Sequence, residues 1–375
     1  GLDARTVHRA VRRGTGKNLI DLYRAVLRRR PDWRAIGYHR GPVDRPFDCD
    51  PYEGRAIECP GDRLDTWRRW RLPTAAWRDR VDLLHCPANL LPPWLPCPTL
   101  VTIHDLMPLR DAGQNAVRFS RSVRRAVRQR LTIITPSQFT ADQLHRRFGA
   151  TPDQIVVNPW AADSTMHYVA DAGERDAVCR RYGVRPPFIL HLGAADPRKN
   201  TPGAIRAYAR LPRRLRAQWP MLIVGLDRDD HRARMRELCR LYDVDNDVRL
   251  AGFADEVEMP ALFSAADVLL YPSTWEGFGL PILDAWTAKT AVLCSNTTSL
   301  PEVGGDAVAY TDPTDPAAIA DGLTHLLINE TRRRQWVEAG ARRVGQFTWE
   351  ATADRFIHAV HLALGRHEEV RRDAA

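Results

Sequence analysis

The chain has 375 residues, 44% of them hydrophobic and 27% charged, and its formal net charge is +9. This composition is typical of a soluble globular protein, and the length favours two domains over a single core. Every apolar run falls well short of the roughly 20 residues that a membrane-spanning helix needs, so we expect no such helix.

The seven cysteines are scattered along the chain, and none forms a Cys-x-x-Cys pair. We therefore expect neither a zinc knuckle nor a disulfide framework, and most of these side chains should be small core residues. Residues 1–5 lack the apolar segment of a secretory signal. Together these features predict a cytoplasmic protein.

Arginine supplies nearly all of the positive charge, because only positions 17, 199 and 289 are lysines. One arginine cluster is the segment Trp67–Arg71 with Trp77 and Arg78. A second cluster lies on one predicted helix and comprises Arg118, Arg121, Arg124, Arg125, Arg128 and Arg130. Either cluster suits nucleic acid, anionic lipid headgroups at about 1 kcal/mol per basic residue, or a solvated surface. The sequence leaves these three interpretations open.

The first motif along the chain is Gly14-Thr-Gly-Lys17, which is followed by apolar residues at helical spacing. It is not a phosphate loop of the Walker type. Val11 stands where that motif needs its first glycine, and Asn18 where it needs Ser or Thr. We expect residues 14–17 to form a loop whose two glycines let the backbone approach a ligand closely.

Strand-like segments alternate with helical ones through the first half of the chain. The predicted strands are Ala35–Tyr38, Ala56–Glu58, Val81–His85, Thr99–Ile103 and Leu131–Ile134. This alternation predicts an α/β fold with a parallel sheet covered on both faces. Four prolines in residues 87–96 forbid regular structure, so the large apolar side chains of that segment lie on a loop. These side chains either fold back onto the domain or offer an apolar surface to a membrane or a lipid-linked acceptor.

Polar residues follow the predicted strand 99–103. His104 and Asp105 come directly after it, where the carboxyl ends of parallel strands carry the ligand crevice of open α/β sheets. A histidine in such a place is often only structural, and both roles stay open. Ser137 is expected to cap the next helix. Pro159 and the mostly polar residues up to Thr165 then predict a hinge between two domains.

In the second half, the predicted strand Phe188–Leu192 leads into Asp196-Pro-Arg-Lys-Asn200. A helix is expected next, with Thr201 as its cap and a proline at its first position. Arg198 and Lys199 therefore lie at a strand's carboxyl end beside a helix N-terminus, where they would contact a diphosphate. A plain surface turn is the alternative.

Two acidic runs invite a metal-site interpretation, Asp227-Arg-Asp229 and Asp243–Asp247. The second lacks the glycine at position six and the acid at position twelve of a calcium-binding loop. We expect both runs to be solvated turns, and we expect no metal ion.

The most informative segment runs from Tyr271 to Asp284. The apolar residues 268–271 predict a buried strand, and Pro281 opens a helix. A glycine loop that feeds a helix N-terminus is an anion site, because free N–H groups and the helix dipole point at one spot. Glu276 before the glycines and Asp284 one turn into the helix flank this spot. A phosphate between two hydroxyl-binding carboxylates suits a nucleotide-sugar, whereas the alternative is a strand–turn–helix with solvated acids.

The run Glu276-Gly-Phe-Gly-Leu-Pro281, with an acid eight residues after the glutamate, resembles the signature of retaining GT-B glycosyltransferases of family 4, also called group 1. In that family the second acid is usually glutamate, whereas this chain has Asp284. The segments 101–108 and 197–200 resemble further motifs of the same family. The resemblance covers nearly the whole chain.

The resemblance implies two Rossmann-like domains facing across a cleft, with a C-terminal helix that crosses back to the first domain. We place an acceptor-side domain at residues 1–165 and a nucleotide-sugar-binding domain at residues 166–348. The returning helix is placed at residues 349–375.

The resemblance also implies roles for single residues. His104 would approach the sugar, while Arg198 and Lys199 would supply the positive charge that a metal otherwise gives. The implied catalytic residues are His104, Glu276, Arg198 and Lys199. The implied donor-binding residues are Gly16, Gly277, Phe278, Gly279, Leu280 and Asp284. The implied acceptor-side residues are Lys17, Asp105 and Ser137.

The implied reaction is transfer of a hexose from a nucleotide-diphosphate sugar to a hydroxyl of a saccharide or lipid-linked acceptor, with retention and without a cofactor. The motifs around His104 and Pro197 resemble those of mannosyltransferases of bacterial surface polysaccharide synthesis, which favours GDP-mannose. A UDP-glucose-type donor with a small-molecule acceptor and a catalytically silent nucleotide-sugar-binding protein are the alternatives. We expect peripheral contact with anionic lipid at the inner face of the plasma membrane and no nucleic-acid partner.

Overall fold

The computed structural model describes residues 1–8, 14–41, 47, 49–59, 65–110 and 113–365. The chain divides into two compact units. One unit comprises Gly1–Trp160 with Thr348–Ala375, and the other comprises Ala161–Phe347. Each unit has its own parallel sheet and its own hydrophobic core.

The first unit is built on a seven-stranded sheet with the order β3-β2-β1-β4-β5-β6-β7. Its strands are β1 Leu2–Asp3, β2 Ala35–His39, β3 Tyr52–Ala56, β4 Leu84–Cys86, β5 Thr99–Thr102, β6 Thr132–Thr135 and β7 Ile155–Val157. All of its neighbouring strands are parallel. Strands β4, β5 and β6 are buried along their whole length, as expected where helices cover both faces of a parallel sheet.

The helices of the first unit up to residue 160 are α1 Gly14–Arg29, α2 Leu72–Arg78, α3 Gln114–Arg128 and α4 Gln138–Phe148. A π-helical turn, Trp67–Arg71, runs directly into α2. The indole of Trp67 is fully buried and donates to the carbonyl oxygen of Ile57 at 3.0 Å. This turn therefore joins the core, although most of its arginines are exposed.

The third strand lies at Tyr52–Ala56, so the prediction of a strand at Ala56–Glu58 was wrong. Strand β3 forms an edge of the sheet, and its residues are half-buried or exposed. Because Glu53 and Arg55 interrupt the apolar pattern, the strand lacks the continuous hydrophobic run of a central strand.

The second unit is built on a six-stranded parallel sheet with the order β10-β9-β8-β11-β12-β13. Its strands are β8 Ile189–Leu192, β9 Met221–Val224, β10 Val248–Leu250, β11 Val268–Tyr271, β12 Ala291–Ser295 and β13 Ala309–Thr311. Its helices are α5 Ala172–Arg181, α6 Thr201–Ala209, α7 Arg213–Gln218, α8 Asp229–Leu241, α9 Met259–Ala265, α10 Leu280–Thr287, α11 Leu300–Gly304, α12 Pro316–Ile328 and α13 Glu330–Val344. The order reverses between β8 and β11, and the crevice at such a switch point is the usual ligand site of an open α/β sheet.

The last helix, α14 Trp349–Ala363, belongs to the first unit. It packs against α1 and the strands β5, β6 and β7. Phe356 contacts the ring of Tyr23 at 5.7 Å and that of His85 at 5.1 Å between centroids. The hydroxyl of Thr352 donates to the carbonyl oxygen of Pro159 at 2.8 Å. The predicted return of the last helix to the first domain is confirmed, and residues 366–375 of that prediction lie outside the described residues.

The proline-rich segment 87–96 has no regular structure, as predicted. Leu91 is buried in the core of the first unit, and Leu95 packs against the same core. These two side chains fold back onto the domain, while Trp94 is half-buried. Within the described ranges, no helix combines the length and the apolar character needed to cross a membrane.

Candidate functional site

The switch point of the second unit brings two loops together. Strands β8 and β11 are parallel neighbours, so the loops 193–200 and 272–279 leave the same edge of the sheet. The backbone N–H of Thr274 donates to the carbonyl oxygen of Arg198 at 2.8 Å. The amide of Asn200 donates to the carbonyl oxygens of Pro272 and Pro313 at 3.1 and 2.7 Å. These bonds fix the two loops against each other.

Lys199 and Glu276 meet at this switch point. The ammonium of Lys199 lies 2.9 Å from a carboxylate oxygen of Glu276 and donates to the hydroxyl of Tyr271 at 3.2 Å. The lysine side chain is 24% exposed and the glutamate side chain 14%. Burial by itself raises the pKa of Glu276, but the charge and hydrogen bond of Lys199 outweigh it, so the pKa lies below its usual value. The site therefore holds an ionised carboxylate beside a cation.

Arg198 takes a different position from Lys199. Its guanidinium pairs with Asp196 at 2.7 Å, and the same carboxylate accepts from the backbone N–H of Arg198 at 3.0 Å. Burial raises the pKa of Asp196, but hydrogen bonds from Arg198 outweigh this effect and the pKa is lowered. In this structure Arg198 thus stabilises its own turn, and its contact with a diphosphate stays a prediction.

Asn200 occupies the N-cap position of the helix after this turn, although its side chain makes no capping hydrogen bond, so the prediction of Thr201 as the cap was wrong. Asn200 adopts the left-handed conformation, with φ 53°, which asparagine tolerates better than most residues. Thr201 is buried instead, and its hydroxyl lies 3.1 Å from Nε2 of His191. The other ring nitrogen of His191 lies 2.9 Å from the carbonyl oxygen of Leu270. This buried histidine ties α6 and β8 to β11 beneath the site.

The glycine loop runs into α10 as predicted. Gly279 is the residue before the helix and has φ 128°, where a side chain is strained. A Cβ atom at Gly279 would also lie 2.8 Å from Leu300. Phe278 is buried and packs edge-on against Phe347 at 5.9 Å between ring centroids. The helix start is therefore rigid, and of its first three residues Pro281 has no N–H while the N–H of Ile282 donates to the carbonyl oxygen of Gly279 at 3.0 Å, which leaves the N–H of Leu280 as the donor nearest the loop.

The connection after β12 holds the glycine loop in place. The hydroxyl of Ser299 donates to the carbonyl oxygens of Glu276 and Phe278 at 3.0 and 2.8 Å. The N–H of Glu276 donates to the hydroxyl of Thr298 at 3.3 Å. Sequence reasoning missed this role, although the polar run 296–299 directly after a buried strand was a usable signal.

Asp284 lies one turn into α10 and is half-buried. Its carboxylate accepts from the backbone N–H of Asp163 at 3.2 Å. A structural contact therefore already uses one of its oxygens. Its predicted contact with a ribose stays a prediction.

In the first unit, His104 follows β5 and is held at three points. Its backbone N–H donates to the side-chain oxygen of Asn89 at 2.9 Å, and its ring stacks on Trp160 at 5.9 Å between centroids. Nε2 lies 2.8 Å from the carbonyl oxygen of Pro87. Because a carbonyl only accepts, Nε2 carries the proton of the neutral ring. Burial lowers the pKa of His104, so this ring is neutral near pH 7 with Nδ1 as its acceptor.

The acceptor-side predictions fall on three different elements. The carboxylate of Asp105 accepts from the N–H of Met107 at 2.9 Å and starts a short helical turn. Ser137 caps α4 as predicted, because its oxygen accepts from the N–H of Thr140 at 3.2 Å, and it is fully buried. The prediction of a loop at 14–17 was wrong, since Gly16 and Lys17 lie in the first turn of α1. The helical spacing of the apolar residues begins after Lys17, and the helix continues N-terminally from there through both glycines.

The described part of the chain contains no group of three or more His, Cys, Asp or Glu side chains that could hold a metal ion. Of the predicted solvated turns, Asp229 begins α8 with a fully exposed side chain.

Comparison with known proteins addresses the family directly. The model of Glycosyltransferase Family 4 matches residues 14–166, and the model of Glycosyl transferases group 1 matches residues 181–343. O-antigen chain mannosyltransferase B of Escherichia coli is 30% identical over 308 residues, which cover 80% of each chain. The chain belongs to the group 1 glycosyltransferases of family 4. The predicted family is thereby confirmed.

Two further relatives show the breadth of this glycosyltransferase family. The serotype-specific mannosyltransferase WbdA of Escherichia coli is 27% identical over 277 residues, which cover 72% of this chain and 33% of that longer protein. Glycogen synthase of Mycobacterium tuberculosis is 28% identical over 313 residues, covering 82% of this chain and 72% of the relative. The glycosyltransferase is thus related to enzymes named for different sugars.

The crystal structure of WaaG, a glycosyltransferase involved in lipopolysaccharide biosynthesis, matches the glycosyltransferase with a TM-score of 0.74 at 17% identity. The match covers 91% of this chain and 94% of that chain. The predicted fold class of two Rossmann-like domains of the GT-B type is confirmed.

Proposed function

We propose that the protein transfers a mannosyl residue from GDP-mannose to a hydroxyl of a saccharide or lipid-linked saccharide, with retention and without a metal ion. The observation that carries the proposal is the Lys199–Glu276 pair at the switch point of the second unit. An ionised carboxylate and a cation beside the N-terminus of α10 are the groups that a sugar diphosphate requires.

Lys199 and the loop N–H groups between Gly277 and Leu280 stabilise the departing diphosphate. Negative charge grows on the phosphate oxygen as its bond to the sugar breaks, and donors fixed beforehand stabilise that charge most effectively. Arg198 also stabilises the charge on the phosphate once its guanidinium is shared between Asp196 and the phosphate. Glu276, kept ionised by Lys199, accepts hydrogen bonds from sugar hydroxyls.

The retaining outcome is supported by the Glu276–Asp284 signature, which resembles that of retaining enzymes. The acceptor oxygen forms its bond to the anomeric carbon on the face from which the diphosphate leaves. The acceptor's proton passes to the departing phosphate oxygen. His104, neutral and fixed through Pro87, presents Nδ1 as an acceptor for a sugar hydroxyl.

The choice of mannose rests on the relatives named mannosyltransferases. The glycogen synthase relative supports a second candidate, a glucosyl donor such as UDP-glucose. A thermal-shift panel of GDP-mannose, GDP, UDP-glucose and UDP separates the two. A donor at 100 times its Kd stabilises the fold by about 2.7 kcal/mol. The proposal expects the largest rise in Tm with GDP-mannose and fails if UDP-glucose gives it.

Product analysis tests the rest of the proposed reaction. We expect slow sugar release from the donor without acceptor, whereas a catalytically silent binding protein would release none. NMR of the product should show the anomeric configuration of the donor, and a chelator should leave the rate unchanged. An inverted product or loss of activity with chelator would contradict the proposed chemistry.

The acceptor is proposed to be lipid-linked, with the protein acting peripherally at an anionic membrane inside the cell. Exposed Trp70 and Trp77 beside exposed arginines support this placement.

A further inference from the structure

A groove lined by arginines lies in the first unit, between the π-helical turn Trp67–Arg71 and α3. Its volume is about 370 Å³, within the range of about 300–1,000 Å³ that small-molecule sites occupy. Its charged lining residues are Asp65, Arg68, Arg69, Arg118, Arg121 and Arg125. We call this feature the arginine groove.

Two of these arginines build the wall of the arginine groove. Arg68 pairs with Asp65 and donates to the carbonyl oxygen of Leu91. Arg125 donates to the carbonyl oxygen of Pro92. Both bonds fasten the proline-rich segment to the flanking helices, so the shape of the arginine groove is set before any ligand binds.

The other three arginines, Arg69, Arg118 and Arg121, are exposed, and their guanidinium groups have no ion-pair or hydrogen-bond partner among the residues that the structure describes. The acid of the lining, Asp65, also lies 3.3 Å from Arg40 and 3.8 Å from Arg5. The lining of the arginine groove therefore contains five guanidinium groups and one carboxylate, and that carboxylate also interacts with two arginines outside the groove. The arginine groove carries uncompensated positive charge.

Phosphate is the anion that this chemistry fits. The planar fork of a guanidinium matches phosphate oxygens with two parallel hydrogen bonds, and several forks around one space favour a multiply charged group. Burial lowers the pKa of Arg125, because water no longer solvates its charge fully. An anion in the arginine groove would reverse that effect.

Exposed apolar side chains adjoin the unpaired arginines along the chain. Trp70, 58% exposed, follows Arg69, and Val117, 48% exposed, precedes Arg118. Exposed aromatic residues beside basic ones are typical of surfaces that meet lipid headgroups. A lipid phosphate is therefore one source of the ligand, and a soluble pyrophosphate is the other.

We propose that the arginine groove is a binding site for a phosphate or pyrophosphate group. This inference does not rest on the proposed donor, since every groove residue belongs to the first unit and the Lys199–Glu276 pair to the second. Failure of this inference therefore leaves the proposed donor chemistry unaffected.

The test compares two double variants of α3 that change the net charge equally. Arg118→Glu with Arg121→Glu reverses two unpaired groove residues. Arg124→Glu with Arg128→Glu reverses two exposed arginines of the same helix that do not line the groove. Each protein is floated with phosphatidylcholine vesicles, with and without phosphatidylglycerol, and titrated calorimetrically with inorganic pyrophosphate.

We expect the groove variant to bind at least about tenfold more weakly, given the contribution of each basic residue near an anionic surface, and the control variant to stay close to wild type. Selective loss of vesicle binding identifies a lipid source, and selective loss of pyrophosphate binding a soluble one. Equal weakening in both variants, or unchanged binding in the groove variant, overturns the proposal. The proposal is also overturned if the protein binds duplex DNA more tightly than vesicles and pyrophosphate and the groove variant loses that DNA binding. Melting temperatures close to that of the wild type show that each variant is folded. If the glutamate double variant does not fold, Arg118→Gln with Arg121→Gln replaces it.

Discussion

Lys199 and Glu276 determine the electrostatics of the second unit's switch point. Both side chains are largely buried, and Tyr271 gives Lys199 a further hydrogen bond. Burial raises the pKa of Tyr271, and the adjacent charge of Glu276 adds to this effect, so the tyrosine stays a neutral neighbour of the pair. Two opposite charges that are held together before any ligand binds need little rearrangement when a diphosphate arrives.

Replacing Lys199 by alanine tests the Lys199–Glu276 pair. The variant leaves the Glu276 carboxylate buried without its cation, so we expect a loss of unfolding free energy of about 3 kcal/mol, the lower end for breaking a buried pair. Transfer should fall by about 10²–10³-fold in kcat, the usual result of removing one group that stabilises developing charge. Urea unfolding and initial rates measure the two effects.

The control for Lys199→Ala is Lys289→Ala. Lys289 is exposed and lies over the ring of Tyr168 at 4.3 Å, a contact worth about 0.5–1 kcal/mol. The pair's contribution is fully present above the ordinary glutamate pKa of about 4.3 and is lost as the pH falls through the lower folded-state pKa. Wild type and Lys199→Ala should therefore converge in stability once the pH falls below that folded-state pKa. A gap that stays constant below that pKa would show that Lys199 acts through packing.

Among the elements, the loop 272–279 is held by hydrogen bonds with the turn at Arg198 and with Ser299. We expect Gly279→Ala to cost about 1–3 kcal/mol of unfolding free energy, the usual cost of a strained backbone position. The substitution combines a φ of 128° with a contact of 2.8 Å to Leu300. Gly113→Ala is the control, because that glycine has an ordinary φ of −98° and open space around it. Equal melting temperatures for the two variants would contradict the rigidity of the loop.

The central strand β11 could be predicted from sequence, and the edge strands β3 and β13 could not. Strand β11 was predicted with its exact bounds, because a strand buried on both faces is a continuous apolar run. Strands β3 and β13 are edge strands, and half-exposed residues such as Tyr310 break their pattern. An edge strand is stabilised by pairing with a single neighbouring strand. Its own residues do not show that pairing, because the partner lies elsewhere in the chain.

The components of the candidate site were visible in the sequence, but their pairing was not. Glu276 and Lys199 lie 77 positions apart, and only the strand order β8-β11 makes them neighbours. The position of Asn200 before the helix was missed for a similar reason, since its amide makes no capping bond and instead donates to the carbonyl oxygens of Pro272 and Pro313 in other loops.

Helix α14 provides a test of packing in the first unit. Phe356 is 2% exposed and fills the space between Tyr23 and His85. We expect Phe356→Ala to destabilise the protein by about 3–5 kcal/mol through lost burial and a cavity. Arg355→Ala, at the exposed neighbouring position, should change stability by less than about 0.5 kcal/mol. Denaturant midpoints measure both, and a small effect of Phe356→Ala would mean that α14 is dispensable for the first unit.

At the scale of the whole molecule, each unit carries a fully buried histidine on a central strand. His85 on β4 lies 3.0 Å from the hydroxyl of Tyr23 and 2.8 Å from that of Thr102, and burial lowers its pKa to about 3. Burial likewise lowers the pKa of His191 on β8 to about 4. Both rings are therefore neutral in the folded protein at any pH above these values.

These two histidines predict a loss of stability in mild acid. Below about pH 6.5 the unfolded chain takes up a proton on each ring and the folded protein does not, so the unfolding free energy falls as the pH drops. The fall ends only near the folded pKa values of about 3 and 4. By about pH 5 each ring should have lowered the unfolding free energy by about 2 kcal/mol, since one pKa unit corresponds to 1.36 kcal/mol. Urea unfolding at about pH 7.5, 6 and 5 measures the slope.

The acid effect of the histidines is separable from that of the Lys199–Glu276 pair by its pH window. The histidine effect begins near pH 6.5, whereas the pair is lost only below the ordinary glutamate pKa of about 4.3. His191→Gln keeps a side chain that can donate and accept but does not titrate, so its slope between pH 7.5 and 5 should be shallower than wild type by up to about one proton. A wild-type stability that is flat over this range would mean that buried histidines do not govern acid unfolding here.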